Sequence, residues 1–277
     1  MLYDLKNKVY IDSKKTNSGL RFLYNTFIGR FILKIMISKL PSIIYSFYMN
    51  SRFSKYKIKS FIRKNNINID EYEEKTYNSF NDFFTRKIKK ESRLIEDGLV
   101  AVSDGKLLVY KIDDNSSFKI KNSIYTVSEL IGCDDNCYKG GYALIFRLDV
   151  DDYHHYIFPD KGYVVSKKHI NGSLHTVQPL AFKKYKVFLE NTREVTHLKC
   201  ENLGDVCYIE VGAMMIGKIT NKKITKFNKG EYKGHFEFGG STVIMLIKNK
   251  DIKINKKILD NSKKGIETIV KLGSSLE

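Results

Sequence analysis

From about Leu99 onward the chain is written in short β-rich runs between glycines, and this switch away from helical spacing constrains the fold more than any other feature. The runs fall at 106–110, 142–148, 162–165, 206–211, 214–219 and 242–247. Such spacing suits a compact sandwich or barrel-like β domain. Before the switch, apolar residues and cations alternate at roughly helical intervals, so 20–65 reads as two or three helices after a polar lead-in over 1–15. Phe80, Phe83, Phe84 and Ile88 mark one face of a further short helix, with Ser79 as N-cap, Asp82 in the first turn and Arg86 to Lys90 at its basic end. Only three prolines occur and none marks a linker, so a boundary near residue 95 rests on the change of period. The expectation is an α+β protein. Residues 1–95 would form a helical, basic, membrane-associating region packed on a β-rich sandwich or barrel-like catalytic domain over 96–277.

A chain of 277 residues that is 42% hydrophobic and 13% aromatic can bury a large core, which excludes a disordered protein. Cys133 and Cys137, and Cys200 and Cys207, are spaced by four and seven residues. Those spacings match no zinc template, so no metal site is expected. Nothing at the start of the chain resembles a charged segment followed by an apolar one, and the cysteines are expected as reduced thiols inside a cell.

Charge is unevenly placed. Of a formal net charge of +17, residues 1–90 carry +12 and the remaining 187 residues only +5. A membrane-spanning helix needs about 20 largely uncharged apolar residues. The longest charge-free run in the basic part is 40–51, interrupted by Pro41, so this part should not span. It can lie on a bilayer, with Phe22, Phe27, Phe31, Ile35 and Met36 in the acyl boundary and Arg30, Lys34 and Lys39 among anionic headgroups. The alternative is an ordinary amphipathic layer packed on its own domain. No helix-turn-helix, zinc-finger, RNA-recognition or Walker signature is present, so no nucleic-acid partner is expected.

Three places can carry chemistry. Asp104-Gly105-Lys106 opens a strand, where backbone donors at a turn can hold a carboxylate, although Asp-Gly is also a common turn. Asp152-Tyr153-His154-His155 brings two imidazoles to a strand end; adjacent strand residues face opposite ways, so at most one should enter a given site. Gly239-Gly240-Ser241-Thr242 presents a serine on a two-glycine pivot just before a strand, from which it can attack the preceding peptide bond.

Six segments then combine: Phe80-Asn81-Asp82-Phe83-Phe84-Thr85-Arg86-Lys87, Asp104-Gly105-Lys106, Asp152-Tyr153-His154, Asn191-Thr192-Arg193-Glu194, Val211-Gly212-Ala213 and Phe236-Glu237-Phe238-Gly239-Gly240-Ser241-Thr242-Val243. Together, and in this order through roughly residues 20–270, they resemble the phosphatidylserine decarboxylase proenzymes of the bacterial Gly-Gly-Ser-Thr type. The resemblance implies that the chain cuts itself between Gly240 and Ser241, leaving a β chain of 1–240 and an α chain of 241–277 as a heterodimer. Ser241 would become a pyruvoyl group, the cofactor whose ketone captures the amine of phosphatidylserine. Asp104 and a histidine of the Asp-Tyr-His motif would activate the serine, and His154 would return a proton to the α-carbon after CO₂ leaves. A lipid substrate in turn implies a peripheral enzyme docked on anionic membrane at the cytoplasmic side of the cell membrane. Arg193 is a candidate cation for the lipid phosphate, or else part of a structural ion pair.

One position departs from the family motif Asp-Tyr-His-x-x-His, because Ile157 stands where the second histidine is expected. Three arrangements follow: His154 serves both steps, His155, His175 or His235 substitutes, or cleavage is slow or lost. The last would leave a non-catalytic membrane-binding relative that keeps the fold.

Overall fold

The computed structural model describes residues 1–13, 17–120, 123–132, 138–214, 218–239 and 241–277. Two short strands, β1 (Leu2–Asp4) and β2 (Val9–Ile11), occupy the stretch expected to be a polar lead-in. Leu2 and Tyr3 are buried, and β1 pairs in parallel with a strand near the other end of the chain, so residues 2–4 belong to the sheet.

Helices follow as α1 (Ser18–Asn25), α2 (Phe27–Met36), α3 (Lys39–Asn50) and α4 (Tyr56–Asn65). Thr26 separates the first two; its side chain accepts from the Gly29 N–H at 2.9 Å and caps α2. Gly29 is required there, since a Cβ would lie 2.1 Å from the Phe22 carbonyl oxygen. The expected short helix is α5 (Phe80–Phe84), capped by Ser79 as foreseen. It stops before Arg86 and Ile88, and Ile88 instead bridges to Tyr72.

Thereafter strands dominate: β3 (Gly105–Lys111), β4 (Ser117–Ile120), β5 (Ser123–Thr126), helix α6 (Val127–Ile131), β6 (Tyr142–Leu148), β7 (His155–Ile157) and β8 (Gly162–Ile170). Helix α7 (Val187–Glu190) precedes β9 (Arg193–Cys200), β10 (Gly204–Val211), β11 (Ile219–Asn221), β12 (Lys226–Phe227) and β13 (Tyr232–Phe236). Last come β14 (Ser241–Ile247), α8 (Lys256–Lys263) and β15 (Glu267–Val270). The strand expected over 214–219 begins only at Ile219; Met214 lies in a turn, and 215–217 lie outside the described residues.

Among the described residues, ten strands form one sheet in the order β12-β8-β9-β10-β14-β6-β3-β15-β1-β2, while β11-β13-β7 make a second sheet and β4-β5 a hairpin. The architecture is thus mixed α/β around one large sheet, with several helices. Alternation along the central strands supplies both faces of that sheet. Val243, Met245 and Ile247 of β14 join one core with Leu144, Phe146 and Leu148 of β6. Ile244 and Leu246 face the other core with Ala143 and Ile145. A third cluster lies among the helices, where Met49, Phe80, Phe83 and Phe84 pack with Phe61 and Phe238.

Cys200 and Cys207 are buried in β9 and β10, whereas Cys133 and Cys137 lie outside the described residues.

The helical layer divides its aromatics sharply. Phe83 is fully buried, whereas Phe53 is 82% exposed. Phe83→Ala should cost about 3–5 kcal/mol in urea unfolding and Phe53→Ala no more than about 0.5 kcal/mol. Equal losses would contradict the assignment of these two faces.

Candidate active site

Sheet register brings the expected residues to one end. β3, β6 and β14 are antiparallel neighbours, with Lys106 opposite Arg147, Thr242 opposite Arg147, and Ser241 opposite Leu148. Asp104 lies just before β3, the segment 149–154 just after Leu148, and Ser241 at the first position of β14.

Ser241 is 1% exposed, and its Oγ has no hydrogen-bond partner among the described residues. Leaving a buried hydroxyl unpaired costs about 1–3 kcal/mol, a cost that Thr242 Oγ1 and Ser103 Oγ share at this end of the sheet. Gly239, two residues earlier, has φ +145°, a conformation that disfavours any side chain. Gly240, expected to carry the scissile carbonyl, lies outside the described residues.

His154 is fully buried, with its ring 4.3 Å from that of Phe84. Its Nδ1 donates to the Asp152 carbonyl at 2.8 Å, leaving Nε2 unprotonated and, among the described residues, without a hydrogen-bond partner of good geometry. Burial pushes its pKa down to about 4, against the smaller opposing pull of the Asp152 and Gly239 carbonyls. The imidazole is therefore neutral at pH 7 and able to accept a proton. Its backbone carbonyl accepts from the Phe236 N–H at 3.0 Å, which ties this motif to the stem of the Gly239 turn.

The other histidines are engaged elsewhere. His155 parts company with His154, as adjacent residues at a strand end should. Its ring stacks on Tyr153 at 4.6 Å and lies 5.0 Å from His235, and its Nε2 donates to the Thr85 carbonyl. Burial, then the neighbouring His235, pushes its pKa down to about 3. His175 sits in a separate cluster with Tyr24, Tyr185 and Glu190. Ile157, where the family motif has a second histidine, is buried in the apolar core.

Asp104 occupies a different place from the one a serine–histidine–aspartate relay requires. Its carboxylate accepts from Arg93 at 3.1 and 3.3 Å, from Lys271 at 2.9 Å and from the Leu272 N–H at 2.8 Å. No hydrogen bond joins it to a histidine among the described residues. Burial alone would raise its pKa, but Lys271 and Arg93 together hold it below the usual range. Through the Leu272 N–H it ties the turn before β3 to the segment after β15, and the neighbouring Ser103 bridges to Tyr156 of β7.

A second charged network escapes sequence reasoning. Lys106 bonds Asp152 at 2.7 Å and Asp149 at 3.1 Å, and Arg147 clasps Glu267 through two bonds of 2.7 Å. Burial acts to raise Asp149, yet Arg147 and Lys106 hold it down to about 2. Burial wins at Asp152, whose pKa is raised even beside Lys106. Lys106 was visible as the third residue of Asp-Gly-Lys, but only the fold shows that it pins the loop leading to His154. Arg193 is buried and donates to the carbonyls of Leu130, Leu189, Asn191 and Glu129. Its guanidinium is spent on these carbonyls and, among the described residues, makes no ion pair; it braces β9 against α6 and α7.

Beside this end of the sheet, a cavity of about 600 Å³ opens between α3 and the body. Ser42, Ser46 and Asn50 line one side, and Thr192, Lys218 and Glu237 the other.

Asp104→Asn removes a charge that Arg93 and Lys271 both use, and should cost about 3 kcal/mol near pH 7. A carboxyl whose folded pKa is lowered stabilises the protein above its ordinary value of 3.8 and loses that contribution as pH falls below it. The difference between wild type and variant in denaturant unfolding should therefore shrink below about pH 4; a pH-independent difference would contradict the ionic role.

The phosphatidylserine decarboxylase family model matches residues 80–276. The phosphatidylserine decarboxylase proenzyme 2 of Clostridium acetobutylicum is 49% identical, over 99% of this chain and 96% of its own length. Proenzymes of the same name from Clostridium tetani and Clostridium botulinum strain Hall are each 40% identical, over 99% of this chain and 96% and 97% of their own lengths.

Proposed function

The chain belongs to the phosphatidylserine decarboxylase family of carboxy-lyases, and we propose that it cuts itself before Ser241 and then acts on phosphatidylserine at a membrane surface. One observation carries the proposal. Ser241 Oγ is buried and unpartnered at the rigid end of a two-glycine pivot, and the neutral, unpartnered Nε2 of His154 lies at the same end of the sheet.

In the proposed maturation, His154 takes the Ser241 hydroxyl proton as the oxygen attacks the Gly240 carbonyl. The imidazolium returns that proton to the nitrogen of residue 241 as the C–N bond breaks, which leaves an ester and a free amine. Loss of the α-proton then expels the ester as the carboxylate of the 1–240 chain. Water replaces the resulting imine nitrogen, which leaves as ammonia, and residue 241 ends as a pyruvoyl group. That group supplies a ketone to capture the lipid amine and to withdraw the electron pair left by CO₂. His154 then relays to the α-carbon a proton that it takes up from solvent, so one imidazole works in both steps. Asp104 enters as a positioning anion, acting through the backbone and not through the imidazole ring.

The sheet supports a two-chain product. β14 would open the α chain while remaining bonded along its length to β10 and β6. β15, also in the α chain, remains between β1 and β3. The two chains should therefore stay together as a heterodimer.

Membrane docking is proposed on the outer face of the helices. Phe27, Phe31, Ile35, Leu40, Ile44 and Phe47 are all more than half exposed, and Phe22 nearly so. Arg30, Lys34, Arg52 and Lys55 lie in the same stretch, and each cation near an anionic bilayer contributes about 1 kcal/mol. Met36 turns inward against the core and is not part of that face. The side chain of Lys39 lies outside the described residues. No described helix is long and apolar enough to cross a membrane. The cavity under α3 gives a headgroup a way from this face toward Glu237, four residues before Ser241. On this reading the protein is peripheral, on the cytoplasmic side of the cell membrane.

Purified wild type should separate on a denaturing gel into chains of 1–240 and 241–277, and Ser241→Ala should stay whole and inactive. A wild type intact after days would favour instead a membrane-binding relative with impaired cleavage, as Ile157 suggests. If His154 is the base, cleavage should keep its rate down to about pH 5 and fall as pH approaches about 4, where the imidazole protonates. A fall centred near 6.5 would assign the role to an ordinary, solvated histidine. Replacing Phe27, Phe31 and Phe47 together by alanine should weaken flotation with anionic liposomes at least tenfold without lowering the unfolding midpoint. Unchanged flotation would reject this face.

A further inference from the structure

Helix α5 touches both halves of the cleavage apparatus. On one side, Phe84 lies against the His154 ring, and the Thr85 carbonyl just beyond the helix accepts from His155. On the other, Asn81 Oδ1 accepts the Phe238 N–H at 3.1 Å, and Asn81 Nδ2 donates to Glu237 at 3.4 Å and to Asn50 of α3 at 3.1 Å. The Phe238 ring meets Phe80 and Phe84 edge-on, at 4.9 Å in each case. Above it, the Phe80 N–H donates to Ser54 Oγ at 2.8 Å, joining α5 to the turn between α3 and α4.

These contacts address the weak point of a two-glycine pivot. A glycine pair permits a tight turn, but lacking side chains it supplies no contact of its own to hold the turn against a hydroxyl fixed in β14. Attack requires the reacting atoms about 3–3.5 Å apart, and a misplacement of about 1 Å can cost on the order of a hundredfold. The stem at 237–238 must therefore be held from outside the pivot.

We infer that Asn81 and Phe238 are positioning residues for self-cleavage: α5 holds the stem of the pivot through Asn81 and the Phe238 ring while its Phe84 holds His154, so that base and scissile bond share one support. This rests on the self-cleavage proposed above. Once the chain is cut, the stem no longer has to present a carbonyl to Ser241, so the two residues matter more for maturation than for turnover.

The test measures three quantities on the full-length protein. They are the half-time of conversion to the two chains, the decarboxylation rate per matured chain on phosphatidylserine vesicles, and the thermal unfolding midpoint. Asn81→Ala and Phe238→Ala should each lengthen the half-time about tenfold or more. Turnover per matured chain should stay within about twofold, and Phe238→Leu should restore most of the cleavage rate by refilling the aromatic cluster. Folded Asn81→Ala that cleaves at the wild-type rate would overturn the inference. So would an equal loss of cleavage and turnover accompanied by a lower midpoint, because that pattern is general structural damage. If Asn81→Ala does not accumulate folded, the Phe238→Ala and Phe238→Leu pair decides: rescue by leucine supports the inference and its absence rejects it. A wild type that never cleaves fails at the earlier step and removes the underlying proposal instead.

Discussion

Everything at this end of the molecule depends on Ser241 being the junction between a clamped strand and a free pivot. The strand is paired to β6 from Ser241 to Ile247 and to β10 from Thr242 to Ile247, and every residue of it is buried. Immediately before it comes a pair of glycines, the first at φ +145°. Strand pairing holds residue 241 in place, and on the self-cleavage proposed above its hydroxyl would be the fixed nucleophile toward which the preceding peptide bond is presented. The same clamping would retain the product, because a strand in mid-sheet cannot leave without breaking two ladders of hydrogen bonds.

Electrostatics at this end separate two tasks that a catalytic triad combines. Asp104 is committed to Arg93, Lys271 and a backbone N–H, and so steadies the turn before β3. The imidazole takes its orientation from the Asp152 carbonyl and the Phe84 ring. Burial makes His154 a weak base that rests neutral near pH 7, and among the described residues no charged partner occupies its Nε2. Lys106 contributes from below, since its bonds to Asp149 and Asp152 fix the loop from which His154 is suspended.

Much of this was legible in the sequence because it was local. Alternation and bounding glycines located 142–148 to the residue, and placed β3, β10 and β14 within two residues at either end. The Ser79 cap and the serine on its glycine pivot could also be read directly. What escaped was set by distant pairing. Residues 2–4 read as a polar lead-in because three residues have no period; they become strand by borrowing the edge of β15 across the whole chain. Arg193 suggested a phosphate ligand until α6 and α7 closed over it with four carbonyls. The Asp104 partners Arg93 and Lys271 lie 11 and 167 residues away, and no motif spacing signals them. Asn81 sat in plain view between phenylalanines, but its value comes from Phe238, 157 residues later.

The helical layer gains a second meaning from these contacts. Its outer face carries the exposed aromatics and cations proposed to meet the bilayer, while its inner face packs Phe61 and Tyr45 around Phe238. The proposed docking face and the proposed support for maturation thus lie on opposite sides of one helical layer. The central claim concerns a single residue, and the intact mass of the 241–277 fragment from the wild-type protein tests it most directly. Conversion of Ser241 to a pyruvoyl terminus makes this fragment lighter, by one ammonia, than simple hydrolysis would. Finding that deficit on residue 241 is the predicted result; an N-terminal serine, or a cut at any other bond, would contradict it.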